Sequence, residues 1–303
     1  MIDSMERLLP NVIIGGGTKC GSTSLFFWMA AHPDVCASSA KETHFFHDEI
    51  LQKFNANANI HEHGLDEYSK YFADHTSEKI VIEATPQYIF QKTPLIEIPR
   101  LESKPKIIFL LREPIKRAFS QFVYSKHRLN RFNPSMTFPE YIQWTVDNGP
   151  QYDVLQHSNY LLHLKKWIDV FGRDRVWVYQ SEELFQDKVN FMKRLSSRLD
   201  IDPNFYDTYG FLKRNESSGI RNRGLHNFAQ KAQDFFGDGI KEKVLIPLYL
   251  RLNSKPIPKE EVLSDELRAR LEKQLWTEGT RELFDYFPEL DVNKWYPKGA
   301  GNG

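Results

Sequence analysis

The first part of the sequence that could do chemistry is a glycine-rich turn with a lysine and several hydroxyl groups. Residues 15–24 read Gly-Gly-Gly-Thr-Lys-Cys-Gly-Ser-Thr-Ser. Glycine lets the backbone approach a phosphate closely, and the amide groups and dipole at a helix start favour an anion. Lys19 adds a cation, and Ser22, Thr23 and Ser24 add hydroxyl donors. The turn therefore predicts an anion cradle; a plain strand-to-helix turn is the simpler alternative.

A second cationic group follows an apolar run later in the chain. Residues 110–121 read Leu-Leu-Arg-Glu-Pro-Ile-Lys-Arg-Ala-Phe-Ser-Gln, with Arg112 where the run ends and Ser120 in the next element. A guanidinium can bind phosphate through two hydrogen bonds, and a hydroxyl can complete such a site. Taken alone, a surface ion pair between Arg112 and Glu113 would be the simpler interpretation. The residues alone therefore leave an anion site and a surface ion pair both open.

A carboxylate and an imidazole lie close together in the stretch 41–48, Lys-Glu-Thr-His-Phe-Phe-His-Asp. Glu42 and His44 are residue types that accept protons, so this stretch could activate a hydroxyl or an amine. Judged alone, each would be an ordinary surface side chain.

These groups need a scaffold that brings them together, and the hydrophobic pattern predicts one. Short apolar runs at 11–15, 35–37, 79–83, 106–111 and 175–179 alternate with helical patterns at 22–31, 114–126, 160–171, 182–199 and 264–287. Continuous apolar strands separated by helices indicate a parallel sheet covered on both faces. Ligands bind such α/β sheets at the carboxyl ends of the strands. We expect a single domain over 1–303, with insertions over the sheet at 48–78, 127–153 and 225–258 whose loops are placed to shape the pocket of an acceptor substrate.

Composition narrows the classes of partner. The 303 residues carry 40 Lys and Arg against 40 Asp and Glu, a balance that disfavours a nucleic-acid or anionic-membrane binder. Two cysteines do not make a disulfide framework, and no stretch approaches the ~20 apolar residues of a membrane span. We therefore expect a cytoplasmic protein. The oligomeric state stays open.

The stretch 18–25, Thr-Lys-Cys-Gly-Ser-Thr-Ser-Leu, resembles the 5′-phosphosulfate loop of sulfotransferases that use 3′-phosphoadenosine 5′-phosphosulfate (PAPS). The resemblance implies a P-loop-like three-layer α/β fold with a central parallel sheet flanked by helices. It implies PAPS as donor, adenosine 3′,5′-bisphosphate (PAP) as product, and no metal. The stretch 110–121 resembles the 3′-phosphate motif of the same family, and the two sites together fit a nucleotide with a 5′ and a 3′ anion. The residues that these resemblances assign to donor binding are Lys19, Cys20, Gly21, Ser22, Thr23, Ser24, Arg112, Ser120, Ser218, Gly219 and Arg221. Of these, Cys20 is expected to be a small packing residue of the loop, and the last three belong to a loosely matching late loop.

The stretch 41–48 resembles the Lys-Glu-x-His-Phe-Phe signature of the carbohydrate-type members, as in the heparan sulfate enzymes. The resemblance makes Glu42 the general base, His44 its partner and Lys19 the cation beside the leaving phosphate. An acidic residue often follows Phe-Phe in those relatives; because His47 precedes Asp48 here, the third partner stays open. The segment 83–88 resembles one that usually carries Lys where this chain has Ala84.

Two other functions remain possible at this stage. A P-loop kinase would explain the Walker-like spacing of Gly16 and Gly21, but Ser22 stands where Lys is expected, and Arg112 stands where an acidic Mg²⁺ ligand is expected. A non-catalytic nucleotide-binding module would bind PAP without transfer. We expect the acceptor to be a small molecule, a glycolipid or an oligosaccharide, with a hydroxyl or an amine as the group that receives the sulfuryl.

Overall fold

The computed structural model describes residues 7–49, 55–149, 152–211, 219–220, 254–255, 263–275 and 278–296. Its strands are β1 Val12–Gly16, β2 Val35–Ala37, β3 Ile80–Ala84, β4 Lys106–Leu111, β5 Val176–Gln180, β6 Gly219–Ile220 and β7 Ser254–Lys255. Its helices are α1 Ser22–Ala30, α2 Ile60–Ser69, α3 Thr93–Glu97, α4 Pro114–Val123, α5 Phe138–Asp147, α6 Tyr160–Phe171, α7 Ser181–Gln186, α8 Lys188–Arg198, α9 Asp265–Leu275, α10 Glu278–Tyr286 and α11 Val292–Trp295.

Strands β1 to β5 form one sheet in the order β2-β3-β1-β4-β5, and every neighbouring pair is parallel. The central strand β1 pairs with β3 on one side and with β4 on the other. Because all five strands run the same way, the loops that follow them meet at one edge of the sheet. The predicted α/β fold with a central parallel sheet between helices is confirmed.

The sheet is buried on both faces, which explains why its strands are continuous apolar runs. Along β4, Ile107, Phe109 and Leu111 belong to one hydrophobic cluster. Ile108 and Leu110 belong to the other. The first cluster includes side chains of α6, α10 and α11. The second includes side chains of α1 and α8. Helices therefore cover the sheet on both sides and leave its carboxyl edge for the loops.

One predicted helix is divided in the structure. The sequence predicted a single helix over 182–199, but α7 ends at Gln186 and α8 begins at Lys188. Asp187 lies between them with φ −140° and ψ 78°, and its carboxylate accepts a hydrogen bond from Asn190 N. An aspartate that caps the next helix stabilises this break, because its side chain replaces a hydrogen-bond partner that the first turn lacks.

The chain forms two compact units: residues 1–117, 157–214 and 273–303 in the first, and 118–156 and 215–272 in the second. The first unit contains the parallel sheet and α2, which lies in the predicted insertion 48–78. The second contains α5, from the predicted insertion 127–153, and the antiparallel pair β6-β7. The predicted insertion 225–258 lies outside the described residues, apart from β7. An acceptor-side role for these insertions stays a prediction.

Candidate functional site

The glycine-rich turn joins the end of β1 to the start of α1. Gly17 N donates to the carbonyl oxygen of Leu110 at 2.7 Å, which ties the turn to β4. Gly21 precedes α1 with φ 96°, and the first turn of the helix has neither an acidic residue nor a side-chain cap. Because the first amide groups of a helix have no partner within it, this end of α1 presents partial positive charge.

Two glycines of the turn disfavour side chains, Gly21 mainly through its positive φ and Gly16 through close packing. A Cβ atom on Gly21 would lie 2.9 Å from the ring of Phe185, and one on Gly16 would lie 2.8 Å from Cβ of Ile89. The backbone therefore approaches its neighbours directly, as a phosphate cradle requires.

The other residues of the turn differ in exposure. Ser22 and Ser24 are buried, whereas Lys19 and Thr23 are partly exposed. Lys19 has a positive φ of 65°. Cys20 is fully buried, and burial raises the pKa of its thiol to about 11. Its side chain is therefore a neutral packing group, as the sequence predicted.

Arg112 lies beside the glycine-rich turn. Its Nη1 donates to the carbonyl oxygen of Lys19 at 3.3 Å. Its own carbonyl oxygen accepts a 2.8 Å hydrogen bond from the hydroxyl of Tyr160, the first residue of α6. The structure therefore brings together two groups that the sequence predicted separately, the turn and the arginine at the end of β4.

The remaining predicted phosphate ligands cannot be joined to this site. Ser120 lies on the part of α4 that belongs to the second unit, and Gly219 lies in β6 of the same unit. Ser218 and Arg221 lie outside the described residues. Their phosphate contacts stay predictions.

Two glutamates fix the segment that carries Arg112. Glu113 is fully buried, and its carboxylate accepts hydrogen bonds from the main-chain nitrogens of Ile115 and Lys116, each at 2.9 Å. This carboxylate caps α4, a role that an acidic residue just before a helix-starting proline could have suggested. Glu182 accepts a 3.0 Å hydrogen bond from Glu113 N. Nothing local in the sequence pointed to Glu182.

Glu42 and His44 lie on the loop after β2, at the same edge of the sheet as the glycine-rich turn. The loop is joined to the sheet because Ala84 N, at the end of β3, donates to the carbonyl oxygen of Lys41 at 3.2 Å. One oxygen of the Glu42 carboxylate lies 2.7 Å from Lys41 Nζ, and the other lies 3.7 Å from His44 Nε2. The side chains of Glu42 and His44 are 31% and 19% exposed, so an incoming group can reach them. This arrangement can accept a proton.

The structure places His47, not Asp48, beside His44. The Nδ1 atom of His44 and the Nε2 atom of His47 are 3.1 Å apart, and His47 is fully buried. Asp48 instead accepts hydrogen bonds from the main-chain nitrogens of Lys92 and Thr93, at 3.1 and 2.8 Å. In the imidazole pair one nitrogen must donate and the other accept, so the contact couples the tautomers of the two rings.

A buried carboxyl group anchors the same loop from the sheet side. Thr43, between the two predicted catalytic residues, donates to a Glu83 oxygen at 2.6 Å, and Phe46 N donates to the hydroxyl of Tyr88 at 3.2 Å. Glu83 is fully buried, and burial raises its pKa to about 7 despite the Thr43 hydrogen bond and the positive charge of Lys41. The sequence singled out the segment 83–88 only for its missing lysine. Its anchoring role comes from the structure.

The described residues contain neither a metal-binding cluster nor a membrane-spanning helix. No group of three or more His, Cys, Asp or Glu side chains in them is arranged to hold a metal ion. None of their helices combines the length and the apolar character needed to cross a membrane.

The fold and the site agree with a known family. A family model for the sulfotransferase domain matches residues 9–215. The chain therefore belongs to the PAPS-dependent sulfotransferase family, as its motifs implied.

Relatives and a solved structure support the same assignment. Heparan sulfate glucosamine 3-O-sulfotransferase 3A1 of Mus musculus is 28% identical over 231 residues, which cover 72% of this chain and 55% of the relative. Membrane-associated sulfotransferase kil1 of Dictyostelium discoideum is 33% identical over 126 residues, 41% of this chain and 24% of the relative. A crystal structure of a sulfotransferase from Alicyclobacillus acidocaldarius has 25% identity and a TM-score of 0.60, and covers 76% of this chain and 92% of that chain. The chain spans about half the length of the heparan sulfate relatives that it matches.

Proposed function

We propose that this chain transfers the sulfuryl group of PAPS to a hydroxyl or an amine of a small molecule, a glycolipid or an oligosaccharide. The observation that carries the proposal is the hydrogen bond from Arg112 to the carbonyl oxygen of Lys19. It places the Arg112 guanidinium beside the glycine-rich turn, and a nucleotide with a 5′ and a 3′ anion needs both. The nearby carboxylate of Glu42 supplies a proton acceptor at the same edge of the sheet.

The residues present fit such a donor. The tight glycines and the uncapped start of α1 suit a 5′-phosphosulfate, because main-chain amides can face its oxygens. Arg112 suits the 3′-phosphate, since a guanidinium binds phosphate through two hydrogen bonds. Ser120, Ser218, Gly219 and Arg221 remain proposed contributors to the 3′-phosphate site.

The proposed reaction is an in-line displacement at sulfur. The acceptor oxygen or nitrogen bonds to sulfur while the bond from sulfur to the bridging phosphate oxygen breaks, and PAP leaves. Glu42 takes the proton that the acceptor loses, and Lys19 offsets the charge that develops on the leaving phosphate. A sulfuryl group carries less charge than a phosphoryl group, so the proposal includes no metal.

Two histidines support Glu42 in its role as the proton acceptor. His44 lies 3.7 Å from the carboxylate and can orient it or share its proton. His47 holds the far side of the His44 ring through the 3.1 Å contact between their nitrogens. We assign to His47 the third-partner position that the sequence left open.

The acceptor class is inferred from the names of the relatives and from the charge balance of this chain. The names of the heparan sulfate relatives describe glucosamine in a polysaccharide as their acceptor. Equal numbers of acidic and basic residues in this chain do not favour a highly sulfated polymer. We therefore propose a hydroxyl of a short saccharide or a small molecule as the first acceptor to test.

Nucleotide binding provides the first test. In thermal-shift experiments without metal, PAP should raise the Tm more than ATP does. A larger rise with ATP that requires Mg²⁺ would support a P-loop kinase and refute the proposal.

Transfer provides the second test. With ³⁵S-labelled PAPS, a panel of a glucosamine-containing oligosaccharide, a glycolipid and a simple phenol should yield at least one labelled product. Glu42→Gln should abolish the label while PAP binding is unchanged. Glu49→Gln is the matched control, because this exposed carboxylate lies on the same stretch and contacts His61 instead. If Glu42→Gln transfers sulfate at the wild-type rate, Glu42 is not the base. If PAP binds tightly and no acceptor is ever labelled, a non-catalytic module is favoured.

A further inference from the structure

Tyr160 is a buried residue outside the predicted site whose hydroxyl reaches both halves of it. The side chain is 2% exposed, and it begins α6. Its hydroxyl lies 2.8 Å from the carbonyl oxygen of Arg112, 3.4 Å from Arg112 N and 3.8 Å from Cys20 Sγ. Few side chains could do this, because the contacts require one atom between the glycine-rich turn and the end of β4.

The hydrogen-bonding capacity of a phenol matches these contacts. The single O–H proton goes to the Arg112 carbonyl oxygen, which is the shortest contact. The oxygen then accepts from Arg112 N, and the Cys20 thiol, which also donates to the carbonyl oxygen of Thr18 at 3.4 Å, lies 3.8 Å from the same oxygen. Burial raises the pKa of Tyr160 well above its usual range and that of Cys20 to about 11, so both groups stay neutral at physiological pH.

Arg112 is consequently fixed at two levels. Tyr160 holds its main chain, and its guanidinium donates to the carbonyl oxygen of Lys19. On the other side of the turn, Gly17 N is bonded to Leu110 O at 2.7 Å, two residues before the arginine. Within the part of the chain that the structure describes, the phenol therefore joins the Arg112 main chain to a side chain of the turn and helps to set their relative position.

We propose that Tyr160 is a positioning residue that sets the spacing between the 5′- and 3′-phosphate sites of the donor. It touches neither phosphate itself. Its hydroxyl holds Arg112 within reach of a ligand that is bound in the turn. The 3′-phosphate can then contribute to the affinity through Arg112. This inference rests on the proposed function, since it takes the turn and Arg112 as the two ends of the donor site.

The test compares two ligands that differ by one phosphate. The ratio of the Kd for adenosine 5′-phosphate (AMP) to the Kd for PAP measures what the 3′-phosphate adds. In Tyr160→Phe, which removes one oxygen atom, we expect this ratio to fall by about threefold to tenfold, the range for a lost buried hydrogen bond. The Kd for AMP should change by less than about twofold. A general loosening of the fold would weaken both ligands alike and leave the ratio unchanged.

Tyr206→Phe is the matched control. Tyr206 is also buried, and its hydroxyl also donates to a main-chain carbonyl, that of Trp28 at 2.9 Å. This variant loses the same kind of bond away from Arg112, so the ratio should stay at the wild-type value. An equal fall of the ratio in both variants would overturn the proposal.

A further variant separates this inference from the proposed function. Arg112→Ala should collapse the ratio, and adding Tyr160→Phe to it should change nothing more. If Arg112→Ala leaves the ratio unchanged, the assignment of the 3′-phosphate site fails. If Arg112→Ala collapses the ratio and Tyr160→Phe does not lower it, only the role of Tyr160 is refuted. Should Tyr160→Phe fail to fold, Cys20→Ala removes the turn-side partner of the hydroxyl and must lower the ratio; an unchanged ratio would again refute the inference.

Discussion

Replacing Glu83 by Gln should change how the stability of this protein depends on pH. Burial raises the pKa of Glu83 from 4.5 to about 7, so the folded protein keeps a proton there that the unfolded chain has already lost. Unfolding between these two values therefore releases a proton, and a rise in pH favours unfolding. The stability that the protonated form provides is complete below about pH 4.5 and is lost by the time the pH passes about 7.

The size of the effect follows from the gap between the two pKa values. At about 1.4 kcal/mol per pH unit, the wild-type protein should lose roughly 3 kcal/mol of its free energy of unfolding across this range on account of Glu83. Glu83→Gln has no proton to lose and keeps an oxygen that can accept from Thr43. The stability of the variant relative to wild type should therefore rise by roughly 3 kcal/mol between pH 4.5 and pH 7.5.

Urea unfolding followed by tryptophan fluorescence at several pH values measures this difference. Glu78→Gln serves as the control, because main-chain amides from Thr76 onward lower the pKa of Glu78 to about 2. Above about pH 5.5 the carboxylate of Glu78 is charged in both the folded and the unfolded protein. In this range Glu78→Gln should therefore change the free energy of unfolding by the same amount at every pH. If the curves of wild type and Glu83→Gln run parallel from pH 4.5 to pH 7.5, Glu83 is not a protonated anchor and the reasoning fails.

Three further predictions concern other parts of the chain. Gly21→Ala should lower the free energy of unfolding by roughly 1 kcal/mol, because Gly21 has a positive φ. Adding Phe185→Ala should restore neither the Tm nor PAP binding, since the half-exposed ring can already move away from the new methyl group. Restoration would show that the clash with Phe185 is the main cause of the loss. His157→Gln should lose less stability in acid than the wild type does. Burial lowers the pKa of His157 to about 3, so the wild type loses free energy of unfolding as the pH falls below about 6.5. Urea unfolding at about pH 4 and pH 7 measures this loss, and an equal loss in both proteins would contradict the prediction. His47→Ala should lower kcat about tenfold and leave the Kd for PAP unchanged. A positioned proton acceptor contributes at least ~100-fold to the rate, and we expect part of this factor to depend on His47. An unchanged kcat would remove His47 from the proposed mechanism.

Most of the sheet could be predicted because its signal is local. The predicted strands 35–37 and 106–111 coincide with β2 and β4, and the other three are displaced by one residue from the observed strands. The division between α7 and α8 was missed because the apolar spacing continues through both helices. Only the capping geometry of Asp187 separates them. A hydrophobic pattern indicates which face of a helix is buried, but it does not indicate where a capping residue divides two helices.

The candidate site divides in the same way. The glycine-rich turn, Arg112 and Glu42 stand in short stretches of recognisable spacing, so the sequence indicated them. Their supports lie far away in the chain: the hydroxyl of Tyr160 is 48 residues from the carbonyl that it holds, and the carboxylate of Glu182 is 69 residues from its amide partner. Such contacts depend on the order of strands and helices, which no local pattern contains.

Two of these supports, Tyr160 and the protonated form of Glu83, carry no charge, whereas Arg112 and Glu42, which they help to position, are charged. Lys19, Arg112 and Glu42 are partly exposed, so their charges keep some contact with water. Tyr160 is fully buried and uncharged, and Glu83 is buried with a pKa near neutrality. Burying a hydrogen-bonded hydroxyl costs far less than burying a charge. The buried carboxylate of Glu113 is stabilised by the main-chain amides that it caps, whereas the phenol of Tyr160 fixes the position of Arg112 without adding a charge beside it.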